Sequence, residues 1–221
     1  MLLSKFGAAF RMISEAFSRR GSSTGSVSPS SLGVSSASSM SSASLQKPAT
    51  LAWGKKVSPE FRAKVISLCE RLGIEPDYLM ACMAFESAET FSPSIYNAAG
   101  SGAVGLIQFM PTTARSLGTA TGNLAALSAV DQLDWVEKYF QPYKGRLKTL
   151  SDVYMAILWP AAIGKPESSS LWAQSERPTT YRQNSGLDAN KDGVITKAEA
   201  ASKVQAKLER GRKPEYLWVS P

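Results

Sequence analysis

From residue 57 onward, apolar positions recur at helical spacing. Phe61, Val65, Leu68 and Leu72 share one face. Ser58-Pro59-Glu60 ahead of them supplies a cap, a first-turn proline and an acid at the positive dipole end, and Gly73 stops the run. Pro76-Asp77 predicts a second helix through Leu79, Met80, Met83 and Ala84 toward Glu86. A short helix is predicted from Pro111 to Leu117, ended by Gly118. Ser128 opens another to about Phe140, with Asp134 and Lys138 at i, i+4 spacing. Ser151-Asp152 opens one that reaches Trp159 and is halted by Pro160. No alternating strand pattern precedes residue 190. The pattern predicts a mainly α body whose core is built between these helices.

The flanks read differently. Residues 1–20 place Leu3, Phe6, Phe10, Ile13 and Phe17 at helical spacing, with Lys5, Arg11, Arg19 and Arg20 elsewhere: a short basic amphipathic helix. It suits an envelope surface or a docking partner, or folds back on the body. Lys5 and Arg11 interrupt any apolar core of a secretory signal. Serine fills 13 of the 26 positions 21–46, without a charge. Such a stretch buries too little apolar surface to offset its ordering entropy, and predicts a disordered linker. The expected organisation is a helix over 1–20, a linker over 21–56, a helical body over 57–175, and a C-terminal loop and tail over 176–221.

Composition narrows the chemistry. The chain has 221 residues and no histidine, which removes Ser-His-Asp triads and His-ligated zinc. Acid–base work falls to Asp, Glu, Lys or Tyr. Cys69 and Cys82 read as two buried thiols in preference to a disulfide. Of the net charge of +7, residues 1–57 hold +6: Lys5, Arg11, Arg19, Arg20, Lys47, Lys55 and Lys56 against Glu15. A basic arm on a near-neutral body prefers anionic surfaces. Nucleic acid is not expected, because the arm has no aromatic interleaving. The chain is expected to be monomeric.

The strongest chemical signal lies in residues 83–111. Glu86 sits near the end of the apolar run MACMAFES. Desolvation there favours the neutral carboxyl, so the residue could give a proton near neutral pH and take it back. The plain alternative is a structural Glu paired with an Arg. Next comes GSGAVGLIQF, with Gly100, Gly102 and Gly105 permitting tight turning close to a ligand, and Gln108 offering both a donor and an acceptor to a sugar.

Glu86-Ser87, the run Gly102-Ala103-Val104-Gly105-Leu106-Ile107-Gln108-Phe109, Met110-Pro111 and Thr113-Ala114 together resemble the lytic transglycosylase SLT domain, glycoside hydrolase family 23, related to goose-type lysozyme. The resemblance covers about residues 60–165. It implies a lysozyme-like helical domain with a groove for alternating GlcNAc and MurNAc units of peptidoglycan. It also implies Glu86 as the single acid/base, no cofactor for catalysis, and Ser87, Gly105, Gln108 and Phe109 around the substrate. The family's third motif, Ala-Tyr-Asn-x-Gly, corresponds loosely to residues 154–164, which hold no Asn. Tyr154 would line the groove and Trp159 would stack on a sugar, or both would pack in the core. In that family Glu protonates the MurNAc–GlcNAc bond and then deprotonates the MurNAc C6 hydroxyl, closing a 1,6-anhydro ring. A hydrolytic muramidase would need a second acid, for which Glu89 is the nearest candidate, and a non-enzymatic wall-binding protein is the third reading. The departure at the third motif resembles phage-encoded and secretion-associated members. Action at the bacterial wall or periplasm would follow, with delivery by phage or by a specialised secretion system.

Residues 188–199, DANKDGVITKAE, follow the EF-hand loop pattern. Asp188, Asn190, Asp192, the Val194 carbonyl, Thr196 and a bidentate Glu199 would offer oxygen ligands to a structural Ca2+, with Gly193 at the sharp turn. Pro178 and Gly186 break the incoming side, so a full helix–loop–helix is not expected. A helix with Val204 and Leu208 inward should follow, and Tyr216, Leu217 and Trp218 should pack back on the body.

Overall fold

The computed structural model describes residues 49–221. The amphipathic helix expected over 1–20 and the linker as far as residue 48 lie outside the described residues. Among the described residues, eight α-helices and four short strands follow one another, and this part of the chain is mainly α. None of these helices is long and apolar enough to cross a membrane.

The starts and stops read from the sequence hold at most helices. In α1, Pro59–Leu72, the Ser58 hydroxyl accepts from the Phe61 amide, and Gly73 takes the left-handed cap. α2 spans Pro76–Glu86. α3 spans Pro111–Ser116, and α4, Thr121–Ala126, was not anticipated. α5, Ala129–Phe140, is capped by Ser128. α6 is Leu150–Leu158, capped by Thr149 in place of Ser151, because the Thr149 hydroxyl accepts from the Asp152 amide. Asp134 and Lys138 do not pair. Asp134 bonds Lys64 of α1 at 2.8 Å, and Lys138 Nζ donates to the Leu117 carbonyl.

α2 is the hub. Eight of its eleven residues are buried, from Asp77 to Glu86, so it has no solvent face. It packs against α1, α6 and above all α8, Lys197–Gly211; α1 in turn packs on α5. Val204 and Leu208 of α8 are buried as expected. Cys69 and Cys82 are buried and form no disulfide, and burial pushes the Cys69 thiol far above its ordinary range.

Three expectations are corrected. The linker does not run to residue 56: Thr50–Leu51 is β1, paired antiparallel with β4, Trp218–Val219, and Leu51, Ala52 and Trp53 are fully buried. The burial of these three apolar residues outweighs the local linker-like composition. A strand precedes residue 190: β2, Ser170–Ala173, pairs with β3, Val194–Thr196. Pro178 does not break the incoming side. It opens α7, Pro178–Asn184, where its missing N–H is no loss. α8, in the C-terminal segment, lies on α2 and α6.

Candidate active site

Glu86 ends α2 on its last helical residue and is 7% exposed. The residues before it on α2, from Leu79 to Ala84, are all buried. The turn beyond it is strained. Ala88, Glu89 and Phe91 all adopt left-handed φ, at 51°, 65° and 51°. Ser87 holds this turn together: its hydroxyl donates to the Met83 carbonyl at 2.7 Å and accepts from the Phe91 amide at 3.0 Å. Ser87 is fully buried.

The glycine-rich loop is built as a small knot. Val104 bridges both Tyr96 and Phe109. Gln108, at φ 51° and 4% exposure, donates its amide to the carbonyls of Ile95 and Gly105 at 3.1 and 3.2 Å. Phe109 is fully buried, edge-on to Tyr139 at 6.2 Å, and is a core residue. Gly105 is required by contact as well as by φ 82°, because a Cβ there would lie 2.2 Å from the Gln132 amide oxygen.

Gln132 is the site residue that sequence reasoning missed. It is fully buried on α5, accepts from the Leu106 amide at 2.7 Å, and donates to the carbonyls of Pro93 and Leu124 at 3.0 and 2.8 Å. One side chain thus ties the loop to both its flanks. The available signal was a polar residue on the same helix face as Val136 and Phe140.

Tyr154 and Trp159 part company. Tyr154 is fully buried with its ring edge-on to Phe85 at 5.7 Å. Trp159 is partly exposed at the end of α6, against Trp172 at 5.7 Å and under the Arg177 guanidinium at 5.6 Å. Glu89 is taken up by α8: its carboxylate meets Lys207 Nζ at 2.5 Å and Arg210 at 3.3 Å. Tyr96, 52% exposed on the loop's flank, is the most exposed aromatic among the described residues.

Residues 65–146 match the family model described as Transglycosylase SLT domain. The matched stretch holds Glu86, the glycine-rich loop and Gln132, and covers a little over a third of the chain. A search of curated proteins returns no match. The SLT match points to peptidoglycan as the substrate and to lytic glycosidic cleavage as the class of activity.

The loop at 188–199 lies far along the chain from this site and is closed by its own amides. Asp188 accepts from the Tyr181 hydroxyl and from the Gly193 and Lys191 amides, which hold its carboxyl below its ordinary value. Asn190 Oδ1 accepts from the Asp192 amide, and Asp192 Oδ1 from the Val194 amide. Glu199 reaches back to the amides of Ala189 and Asn190 and forms a reciprocal cap with Thr196. Among the described residues, no three His, Cys, Asp or Glu side chains gather as a metal site would require.

Proposed function

We propose that the protein is a peptidoglycan lytic transglycosylase that cleaves the MurNAc-β-1,4-GlcNAc bond and leaves 1,6-anhydroMurNAc. The observation that carries this reading is Glu86: a buried carboxyl at the end of an apolar helix, inside the SLT-like stretch, with its nearest acidic neighbour along the chain already bound to two cations.

In this reading Glu86, acting first as the acid, gives its proton to the GlcNAc O4 leaving oxygen as the C1–O4 bond breaks. The MurNAc acetamido oxygen meets the positive charge at C1. Glu86, now ionised, takes the proton of the C6 hydroxyl as that oxygen bonds to C1. One proton leaves Glu86 and one returns, and no water is consumed. A hydrolase using two carboxylates needs the second one free to direct water. Glu89 is held by Lys207 and Arg210, which favours the single-carboxylate route. Gln132 and Gly105 hold the loop that carries Gln108. The partly exposed Trp159 is the aromatic suited to stack on a sugar ring.

Digestion of purified peptidoglycan followed by mass measurement of the muropeptides tests this. Products one water lighter than reducing ends support the transglycosylase, whereas reducing MurNAc ends would make it a muramidase. Glu86→Gln should fold normally and release nothing; full release by that variant refutes the assignment. The basic N-terminal arm is proposed as an anchor to an anionic envelope surface or to a phage or secretion partner.

Calcium at residues 188–199 is proposed on the oxygen-only ligand series and on Glu199 folding back over the loop's start. Its part would be structural, at the head of α8. Binding requires Glu199 to exchange amide contacts for the ion. A thermal midpoint that does not move between calcium and chelator would end this proposal.

A further inference from the structure

We infer that Lys207 and Arg210 of α8 are positioning residues for Glu86, so that a helix outside the SLT-matched stretch belongs to the catalytic apparatus. The inference rests on the reading of Glu86 as the acid/base.

The turn that follows Glu86 is a conformation the chain would not adopt alone. Three of its four residues from 88 to 91 are non-glycine residues in the left-handed region, each costing about 1 kcal/mol or more. Such a turn persists only where its surroundings over-determine it. Local bonds supply part of the restraint: the Glu89 amide donates to the Ala84 carbonyl at 2.7 Å, and the Thr90 hydroxyl to the Ser87 carbonyl at 2.6 Å. The buried Phe91 ring lies 6.2 Å from both Trp53 and Phe61.

The remaining restraint is electrostatic and comes from α8. Glu89 is 18% exposed, and its carboxylate is gripped by Lys207 at 27% and by Arg210 at 48% exposure. The grip is itself held in register. The Trp53 indole donates to the Lys207 carbonyl at 2.9 Å, and the Trp53 amide to the Gly211 carbonyl at 3.0 Å. Gly211 has no room for a side chain against that indole: a Cβ would lie 2.3 Å from the ring. α8 therefore cannot slide along α2 without breaking these contacts. Glu86 stands three residues before Glu89, on the last helical position of α2. Releasing Glu89 lets the strained turn relax and unwinds or re-aims the helix end that points the acid. A misplacement of about 1 Å at a reacting group can cost about a hundredfold in rate.

Lys207→Met, Arg210→Met, their double variant, Glu89→Gln and Lys207→Arg test this in the full chain, on soluble glycan strands and well below each variant's unfolding midpoint. The double variant and Glu89→Gln should each lose roughly 10- to 100-fold in turnover, with the half-saturating glycan concentration within about twofold. Adding Glu89→Gln to the double variant should cost nothing more, because both remove one grip. Lys207→Arg should restore activity. Full turnover in the double variant, or a loss confined to half-saturation, overturns the inference. If Glu89→Gln abolishes activity while the double variant keeps it, Glu89 acts on substrate directly, which also overturns it. A wild-type protein that releases no anhydro products removes the functional reading itself.

Discussion

Gly105→Ala should damage the protein through Gln132, and the size of the effect follows from the contacts. A Cβ on Gly105 would lie 2.2 Å from Gln132 Oε1 and 2.6 Å from Nε2. Gln132 is fully buried, and its amide serves the Leu106 N–H and the carbonyls of Pro93 and Leu124. Displacing it takes a hydrogen bond from each of three backbone groups, two of them buried, at about 1 kcal/mol or more each. Alanine at φ 82° adds about 1 kcal/mol. At the lower end the loss is about 4 kcal/mol, or a fall of roughly 8–16 °C in the unfolding midpoint. Gln132→Ala removes the same three partners without a clash and should cost about 3 kcal/mol. In the double variant the added methyl group meets no amide, so the combined cost should be about 4 kcal/mol rather than about 7. Urea unfolding of the four proteins measures this cycle. Additive costs would refute the account, because they would mean that Gly105 and Gln132 do not share one contact.

Three further outcomes are expected. Lys197→Met should cost about 3–5 kcal/mol by urea unfolding, because Lys197 Nζ lies 2.7 Å from Asp152 Oδ1 with both side chains buried. Burial opposes the ionisation of Asp152, yet Lys197 and the Gly164 amide prevail and hold its carboxyl below the ordinary value. Its support of the fold is therefore present above the unfolded-state value and lost as pH falls through the folded one, and Lys197→Met should flatten that acid slope. Trp53→Ala should cost about 3–5 kcal/mol in the same assay, and the loss of its indole bond to α8 should lower turnover as well. Deleting residues 1–46 should leave activity on purified wall intact and impair lysis from outside; loss on purified wall would refute the tether reading.

Local signals were legible wherever one residue decides one backbone choice. Ser58, Gly73 and Ser128 cap and stop helices where the sequence says they should, and Pro111 starts one. Glu86 stands out locally as a carboxyl in an apolar run, and it is buried. What escaped depends on distant partners. Thr50–Leu51 reads as linker until β4, more than 160 residues on, supplies its hydrogen bonds. Pro178 looks like a breaker unless one knows that it opens a helix. Ser87, Phe109 and Tyr154 belong to recognisable motifs, but a motif does not say whether a side chain faces substrate or core. All three are fully buried here. Gln132 carried a weak signal, a polar residue on an apolar face, whose meaning needs Gly105 from another segment.

The site is therefore built by more of the chain than the SLT match covers. Residues 65–146 include α2 and the glycine-rich loop, yet α2 has no exposed face of its own. Its partners α6 and α8 lie beyond the match, and Trp53 lies before it. A fragment ending at residue 146 would leave the apolar surface of α2 uncovered, with Glu86 at the end of a helix no longer held. Asp77 makes the same point at the other end of that helix. Its carboxylate accepts from the Ala52 amide at 2.7 Å and from Arg212 of the C-terminal segment at 2.9 Å, so one acid at the start of α2 fastens both chain flanks. Glu89, just past the end of α2, is fastened to α8 as well. The helix that carries the proposed acid is thus clamped at both ends by segments outside the matched family stretch, which is why its geometry is a property of the whole described chain.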